Sequence, residues 1–152
     1  MKLRKLELQD ARYMYEWMTD YNVTEHLAKD FSHMTVEDCQ QFIELSKTDN
    51  HSIHLAICNN LDIYQGTISL KNIEENKEAE YAIVLRKGAI GTGIAKEATE
   101  KLLHIAFQKL NLEKVYLYVK KVNIRANKFY QKMGFQKIRE DKEMNWYEIR
   151  PK

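Results

Sequence analysis

A glycine-rich loop is the stretch whose residue types and spacing point most directly to chemistry. Glycines stand at positions 88, 91 and 93, between an apolar run (79–85) and a long segment of helical periodicity that begins at Ile94. Glycine costs conformational entropy in a purely structural connection, but it allows several backbone N–H groups to turn toward one point. The first turn of the following helix adds unpaired N–H groups and partial positive charge. The loop therefore predicts a binding site for a phosphate or diphosphate group.

Two common phosphate-binding motifs do not fit these residues. A P-loop needs Lys and then Ser or Thr after its last glycine, whereas Gly93 is followed by Ile94 and Ala95. The dinucleotide pattern Gly-x-Gly-x-x-Gly, started at Gly91, would place its third glycine where Lys96 stands. Both classes of nucleotide site are therefore disfavoured.

The N-terminal part of the chain predicts a strand followed by two helices. Residues 2–7 alternate charged and apolar side chains, and Asp10 then stands at the N-cap position of an apolar helical stripe. Thr35 and Asp38 nearly form a capping box for a second helix, which we expect to end near Asn50.

The middle of the chain predicts strands. Residues 53–58 and 63–70 are apolar runs rich in β-branched side chains, and Asn59-Asn60 between them tolerates the positive φ of a tight turn, so the two runs predict a β-hairpin. The apolar run 79–85 predicts a further strand before the glycine loop.

The C-terminal part predicts two helices and three strands. Helical periodicity continues from residue 94 to 110, Asn123 can cap a last helix, and Gly134 suits its C-terminal end. Strands are predicted at 115–119, 135–139 and 145–149. With no linker or internal repeat, residues 1–152 are expected to form one α/β domain.

Composition sets limits on location and partners. The chain has 152 residues, 44% hydrophobic and 30% charged, with a net charge of +2, which is typical of a globular protein and too small for a nucleic-acid footprint. We expect no membrane or nucleic-acid partner. Cys39 and Cys58 lack metal-ligand spacing, so buried free thiols, no metal and a cytoplasmic location are expected.

Several motifs together resemble the GCN5-related N-acetyltransferase (GNAT) superfamily. Residues 90–95, Ile-Gly-Thr-Gly-Ile-Ala, resemble its pyrophosphate signature Gln/Arg-x-x-Gly-x-Gly/Ala, with Ile90 at the position of the usual Gln or Arg. Gly66 is similar to the small residue of the family's third strand. The spacing Asn123-x-x-Ala126-x-x-x-Tyr130, followed by Met133-Gly-Phe135, resembles the family's last helix and turn. The likeness is strongest to the branch of ribosomal-protein N-terminal and spermidine acetyltransferases.

The resemblance implies a fold and a cofactor site. The implied fold is a single α/β (α+β) domain with a mixed, mostly antiparallel sheet of about seven strands and about four helices. The implied cofactor is acetyl-CoA, used as a co-substrate. The strand equivalent to 83–85 would part from its parallel neighbour at 115–119 and offer its backbone to the pantetheine arm, while the glycine loop would hold the pyrophosphate. The cofactor-binding residues implied are Ile83, Val84, Leu85, Gly88, Ile90, Gly91, Thr92, Gly93, Ile94, Ala95, Asn123 and Tyr130.

Two residues are candidates for proton transfer. Tyr130 matches the family's general acid toward the coenzyme thiolate, and the alternative is packing in an apolar helix face. Because free phenol is less acidic than a thiol, with pKa values of about 10 and about 8.5, Tyr130 could instead only donate a hydrogen bond. Glu80 is the candidate base for the acceptor amine, since the family often carries an acidic residue there; a hairpin charge pair is the alternative. His26, His51 and His54 are weaker candidates.

The acceptor is less well defined by sequence. The resemblance suggests a primary amine on a small molecule, such as a polyamine or an amino sugar, or a peptide N-terminus. Aromatic side chains could line an amine pocket or belong to the core: Tyr13, Tyr15, Trp17, Tyr21, Phe31, Trp146 and Tyr147. Glu74, Glu75, Glu78 and Glu80 could attract a cationic acceptor or simply form a solvated hairpin. A non-catalytic acetyl-CoA sensor, an interaction module and a homodimer remain alternatives or additions.

Overall fold

A seven-stranded sheet organises the chain in the computed structural model, which describes residues 1–27, 29–74 and 77–152. The strand order is β1-β2-β3-β4-β5-β7-β6, and every neighbouring pair is antiparallel except β4 with β5. The sheet is therefore mixed and mostly antiparallel, as predicted. The strands are β1 (Lys2–Lys5), β2 (Ile53–Cys58), β3 (Tyr64–Lys71), β4 (Glu78–Leu85), β5 (Lys114–Lys120), β6 (Gln136–Glu140) and β7 (Met144–Ile149).

Helices cover the two faces of the sheet unequally. The α-helices of the described chain are α1 (Ala11–Met18), the single turn α2 (Tyr21–Thr24), α3 (Val36–Ser46), α4 (Ile94–His104) and α5 (Ile124–Lys132). Helix α4 continues as a π-helical turn over Ile105–Lys109, so the predicted helix 94–110 is confirmed in extent. Helices α4 and α5 pack on one face over β3, β4, β5 and β7, and α1 and α3 pack on the other face over β2 and β3.

Local signals explain several helix ends. The Thr35 hydroxyl accepts the Asp38 amide and the Asp38 carboxylate accepts the Thr35 amide, so the capping box predicted for α3 is present. Helix α3 ends at Ser46 rather than near Asn50, because the Lys47 amide already turns back to the Glu44 and Leu45 carbonyls. Gly134 ends α5 with a φ of +97°, the left-handed conformation that glycine adopts without strain.

Asp10 does not cap α1 with its side chain, in contrast to the prediction. A 3₁₀ turn over Leu8–Asp10 precedes the helix, and the Asp10 carboxylate accepts the Glu7 amide at 2.8 Å. The same carboxylate forms two hydrogen bonds with the Arg4 guanidinium, at 2.8 and 2.9 Å, and is only 1% exposed. Asp10 therefore ties β1 to the start of α1.

The predicted hairpin between β2 and β3 is present, but its turn differs from the expectation. The residue with positive φ is Asp62, at +62°, rather than Asn59 or Asn60. The Asn59 side chain accepts the amides of Leu61 and Ile63, and this Asx-type pairing shapes a longer turn than two residues can form. Gly66 follows in β3, where any side chain would collide with the Val84 carbonyl oxygen of the neighbouring strand.

Candidate active site

The parallel strands β4 and β5 separate after a short pairing, and this separation defines the candidate site. Their register contains Glu78 with Lys114, Ala79 with Val115, and Glu80 with Tyr116, and no further pair follows. From Tyr81 to Leu85, β4 is hydrogen-bonded only to β3 in the described structure. The backbone edge of β4 that faces β5 is therefore open beyond Glu80.

The register of β4 with β3 decides which backbone groups face this opening. The Arg86 amide donates to the Gln65 carbonyl at 2.8 Å, which makes Arg86 and Gln65 a hydrogen-bonded pair of the antiparallel ladder. Because such pairs alternate along a ladder, Val84 directs its N–H and C=O toward Thr67 of β3. Ile83 and Leu85 direct theirs toward the opening. Both side chains are only partly buried.

The glycine loop follows the C-terminal end of β4. Gly91 and Gly93 have φ values of +84° and +86°, so both positions need the left-handed conformation. Gly88 does not, since it lies in a 3₁₀ turn and a side chain there would meet no atom within 4 Å. A Cβ at Gly91 would lie 2.9 Å from the Arg125 guanidinium, so a cation of α5 borders the loop.

Some amides of the loop are engaged within it and others are open. The Ile90 amide donates to the Lys87 carbonyl and the Thr92 amide to the Ala89 carbonyl, at 3.2 and 3.4 Å. The Thr92 hydroxyl also donates to the Ala89 carbonyl, at 2.6 Å. Ile94 and Ala95 form the first turn of α4, whose amides have no intrahelical acceptor. The positively polarised N-terminal end of α4 therefore lies directly after the left-handed glycines of the loop.

Helix α5 is fixed at its start by two asparagines. The Asn123 carbonyl oxygen Oδ1 accepts the Ala126 amide at 3.3 Å, which confirms the predicted cap. The Asn127 amide nitrogen donates to the backbone carbonyls of Lys120 and Asn123. Its Oδ1 accepts from the side chains of Asn145 and Tyr147, both at 2.8 Å. Asn127 therefore connects α5 to β5 and β7 with every hydrogen-bonding position of its side chain in use.

Tyr130 lies three residues after Asn127 and differs from the other buried tyrosines. Its ring is packed edge-on against Tyr81 at 5.7 Å, and Tyr81 is the first β4 residue beyond the last pair with β5. The hydroxyls of Tyr64, Tyr81 and Tyr147 each have a side-chain partner, which are Thr67, Thr99 and Asn127. For the Tyr130 hydroxyl no hydrogen bond to any described residue is present. Burial raises the pKa of Tyr130, so its phenol keeps its proton.

Glu80 stands where the two strands part, in the pair with Tyr116. Its carboxylate lies 3.3 Å from the Lys71 ammonium and accepts the Asn72 amide, also at 3.3 Å. The charge pair considered for this residue is therefore present, and Glu80 also borders the opening. Glu75, another of the acidic residues predicted to attract a cation, lies outside the described residues.

The predicted histidines and aromatic residues are dispersed. His54 pairs its Nδ1 with the Ser69 hydroxyl at 2.7 Å under α3, and burial lowers the pKa of His54. Trp17 and Tyr147 are buried in the two cores, whereas Tyr21 is exposed. The remaining aromatic candidates pack at the edge of the core under α1 or lie on the open part of the sheet; these are Tyr13, Tyr15, Phe31 and Trp146.

Three residues that contribute to the site were not predicted. Two of them could have been recognised in the sequence. Arg125 is a basic residue in the first turn of a helix, where it opposes the helix dipole, and Asn127 is a polar residue that interrupts a buried helix face. Arg86 has no comparable sequence signal. It forms two hydrogen bonds to the Glu16 carboxylate of α1, at 2.8 and 3.1 Å, and a third to the Tyr64 carbonyl, so it connects the glycine loop to α1.

Comparison with known proteins agrees with this geometry. The profile of the acetyltransferase (GNAT) domain family matches residues 1–136. The chain belongs to this family and is an N-acetyltransferase that uses acetyl-CoA. It is 29% identical over 143 residues to spermidine N(1)-acetyltransferase of Escherichia coli K12, covering 89% of this chain and 72% of that protein. It is 30% identical over 141 residues to the uncharacterised N-acetyltransferase p20 of Bacillus licheniformis, covering 90% and 79%.

Solved structures agree on the fold. Spermidine N-acetyltransferase of Vibrio cholerae, crystallised with CoA and spermine, superposes with a TM-score of 0.87 at 21% identity, covering 98% of this chain and 94% of that one. A GNAT-family acetyltransferase of Bacillus anthracis gives 0.85 at 19% identity, covering 97% and 93%. In the described part of the chain, no helix has the length and apolar character needed to span a membrane. No group of three metal-binding side chains was found there either.

Proposed function

We propose that this protein transfers the acetyl group of acetyl-CoA to a primary amine of a polyamine. The observation that carries the proposal is the opening between β4 and β5 beyond Glu80 and Tyr116, which ends at the Gly91 and Gly93 loop. Acetyl-CoA is an extended thioester. Its pantetheine arm can hydrogen-bond to an open backbone edge and its diphosphate can bind a positively polarised loop, and both features are present at the opening. The relatives named spermidine acetyltransferases support a polyamine as the acceptor.

The cofactor residues follow from the open backbone groups. Ile83 and Leu85 hydrogen-bond the pantetheine arm with their outward N–H and C=O groups, while Val84 holds the strand to β3. Gly91, Gly93 and the amides of Ile94 and Ala95 receive the diphosphate, and Arg125 adds a positive charge. Asn123 shapes the same end of the site by capping α5. Gly88, Ile90 and Thr92 form the turn that supports these contacts.

Tyr130 assists the departure of the coenzyme thiolate. Acetyl-CoA supplies the acetyl group as a reactive thioester. The unpartnered hydroxyl of Tyr130 is available to donate a hydrogen bond to the sulfur as the carbon–sulfur bond breaks. Since burial raises the pKa of this phenol, complete proton transfer to a thiolate is uphill. Tyr130 therefore acts mainly as a hydrogen-bond donor, and the thiolate takes its proton from solvent.

Glu80 receives the proton of the attacking amine, directly or through a water molecule. It borders the opening, and the Lys71 and Asn72 contacts orient its carboxylate. Glu80→Gln is expected to lower kcat/KM at neutral pH and to change the pH–rate profile, because the proton of the attacking amine loses its acceptor. Lys71→Met is the matched control, because it removes the partner of the charge pair but leaves the carboxylate. An unchanged profile in Glu80→Gln would leave Glu80 only its structural pairing.

A thiol-release assay tests the proposed function. Purified protein and acetyl-CoA are mixed with one class of acceptor in each reaction: polyamines, simple monoamines, amino sugars or peptides. The free CoA thiol released is measured. Polyamines are expected to give the highest kcat/KM, with one acetylated amine formed for each thiol released. Preference for an amino sugar or a peptide would refute the acceptor, and absence of transfer to any amine would refute the function.

Location and assembly are further parts of the proposal. Buried free thiols at Cys39 and Cys58 suit a reducing cytoplasm. We also propose that residues 1–152 work as one domain, since the sheet runs from β1 near the start to β7 near the end. A homodimer remains a prediction, to be tested by sedimentation equilibrium.

A further inference from the structure

Arg86 lies at the junction between β4 and the glycine loop, and its backbone begins that loop. Its amide donates to the Gln65 carbonyl at 2.8 Å and so ends the ladder with β3. Its carbonyl accepts the Ala89 amide at 3.0 Å and so opens the 3₁₀ turn. The Ala89 carbonyl in turn accepts the amide and the hydroxyl of Thr92, one residue before Gly93. The backbone of Arg86 is therefore connected through two successive turns to the N-terminal end of α4.

The side chain of Arg86 extends in the other direction, toward α1. Its Nε and Nη2 donate to the two carboxylate oxygens of Glu16 at 2.8 and 3.1 Å, and its Nη1 donates to the Tyr64 carbonyl at 3.2 Å. Its guanidinium carbon lies 4.5 Å from the centre of the Tyr13 ring, which is stacked on the Tyr64 ring. A planar guanidinium that pairs with both oxygens of one carboxylate is held in a fixed orientation. The group is thus placed to hold the start of the loop rather than to bind a phosphate itself.

A second arginine contacts the same aromatic ring without this connection. The Arg12 guanidinium carbon lies 4.7 Å from the centre of the Tyr13 ring, and its Nη2 donates to the Tyr13 hydroxyl at 2.9 Å. Arg12 belongs to α1 and is exposed, and within the described chain it forms no side-chain hydrogen bond to the glycine loop. Arg12 therefore shares the aromatic partner of Arg86 but not its position.

A glycine-rich loop needs an attachment of this kind to present its amides in one arrangement. Gly91 and Gly93 adopt the left-handed conformation, which is only one of many open to a glycine. When a fraction of the molecules has the binding-competent conformation, the observed dissociation constant rises by the inverse of that fraction. A contact that holds the start of the loop thus contributes to affinity without touching the ligand.

We propose that Arg86 is a positioning residue for the cofactor, and that its pairing with Glu16 holds the glycine loop in the arrangement that binds the diphosphate of acetyl-CoA. The inference rests on the proposed cofactor site. It adds that the affinity of this site depends on α1, which lies on the opposite face of the sheet from α4. Glu16 and Arg86 are 70 residues apart in sequence and act as one unit, so the loss of either side chain has the same consequence for the loop.

Calorimetric titration of coenzyme A, without any acceptor amine, tests the proposal. Arg86→Met keeps an unbranched side chain but removes the forked donors, and we expect the dissociation constant to rise about three- to thirtyfold. Glu16→Gln, at a side chain that is 51% exposed, should raise it about two- to fivefold. The double variant should bind no more weakly than Arg86→Met alone, because both changes break one interaction. Arg12→Met is the matched control and should retain the native dissociation constant.

Steady-state kinetics separate positioning from general support of the fold. In Arg86→Met the acetyl-CoA KM should rise together with the dissociation constant, while kcat at saturating acetyl-CoA falls less than about threefold, because Tyr130 and Glu80 are unchanged. Arg86→Lys keeps the charge but lacks the planar fork, so its affinity should lie between those of the native protein and Arg86→Met. The melting temperatures of these variants should stay close to the native value, since the pair is partly exposed.

Three outcomes would overturn the proposal. The first is native coenzyme A affinity in both Arg86→Met and Glu16→Gln. The second is additive losses in the double variant, which would mean that the two side chains act independently. The third is an equal loss in Arg12→Met, which would assign the effect to the Tyr13 ring.

Failure of the proposed function gives a different pattern. If the native protein binds no coenzyme A, there is no cofactor site for Arg86 to position, and both proposals are overturned. If the native protein binds coenzyme A and all variants bind it equally well, only the role of Arg86 is overturned, and the cofactor site stands.

Discussion

Buried polar groups are treated differently in two regions of this protein. Under α1 and α3 the polar side chains are paired with one another: Asp10 with Arg4, His54 with Ser69, and Tyr64 with both Thr67 and Trp17. Around the opening between β4 and β5, the Tyr130 hydroxyl, the outward groups of Ile83 and Leu85, and the first amides of α4 lack such partners within the described chain. Polar groups without a partner remain available to form hydrogen bonds with a ligand. The contrast therefore supports the proposed cofactor site at the opening, while the paired region supports the fold.

Disruption of the Arg4–Asp10 pair should produce the largest change in stability. Asp10→Ala leaves the Arg4 guanidinium, whose side chain is 13% exposed, without its main partner. We expect a loss of about 3 to 5 kcal/mol in the free energy of unfolding, measured by urea denaturation. Asp62→Ala is the matched control, because Asp62 also contacts Arg4 but is 46% exposed, and its removal should cost less than about 1 kcal/mol. Equal losses in the two variants would contradict the distinction.

Substitution of the buried tyrosines Tyr130 and Tyr64 should affect different properties, activity in the first case and stability in the second. Tyr130→Phe removes a hydroxyl without a described partner, so we expect kcat to fall about ten- to a thousandfold while stability and the acetyl-CoA KM are retained. Tyr64→Phe removes the partner of Thr67 and Trp17, so it should cost about 1 to 3 kcal/mol of stability with little change in kcat. Steady-state kinetics and thermal denaturation measure both quantities. Retained turnover in Tyr130→Phe would refute its catalytic assignment.

The glycines of the loop should differ in their tolerance of a side chain. Gly91→Ala forces a residue with a Cβ into a φ of +84° and against Arg125, at a cost of about 1 to 3 kcal/mol. We expect it to weaken coenzyme A binding about five- to a hundredfold in calorimetry. Gly88→Ala meets no atom and needs no left-handed backbone, so its affinity should equal that of the native protein. Equally weakened coenzyme A binding in both variants would mean that the flexibility of the loop backbone, rather than the left-handed conformation, determines the affinity.

The smallest expected effect concerns pH. Burial lowers the pKa of His54 in the folded state below its ordinary value of 6.5, so the unfolded chain binds a proton more readily. The contribution of neutral His54 to stability is complete above about pH 6.5 and declines as pH falls from there toward the lower folded-state pKa. His54 faces Phe42, Ser69, Asp49 and Lys71. His54→Gln should flatten the fall in melting temperature between pH 7 and 5, whereas His51→Gln, at an exposed histidine, should not.

The motifs that depend on residues close together in sequence could be predicted. The capping box at Thr35, the Asn123 cap, Gly134 and the order of strands and helices follow from local hydrogen bonding and periodicity, which act over a few residues. The Asp10 and Asn59-Asn60 predictions were wrong in detail, because the Asp10 carboxylate pairs with Arg4 and with the Glu7 amide, and the positive φ of the turn falls on Asp62.

The amino-acid sequence alone determined the elements, the glycine loop and the GNAT class of this protein, because glycines, caps and apolar periods encode local backbone geometry. Only the tertiary structure decided where β4 leaves β5, which backbone groups face the opening, and which buried tyrosine hydroxyl has no hydrogen-bond partner in the described chain. It also brought Arg125 to Gly91 and placed Tyr118 beside Trp146. These relations join residues distant in sequence, and their geometry is set by strand register and helix packing, which no local pattern specifies.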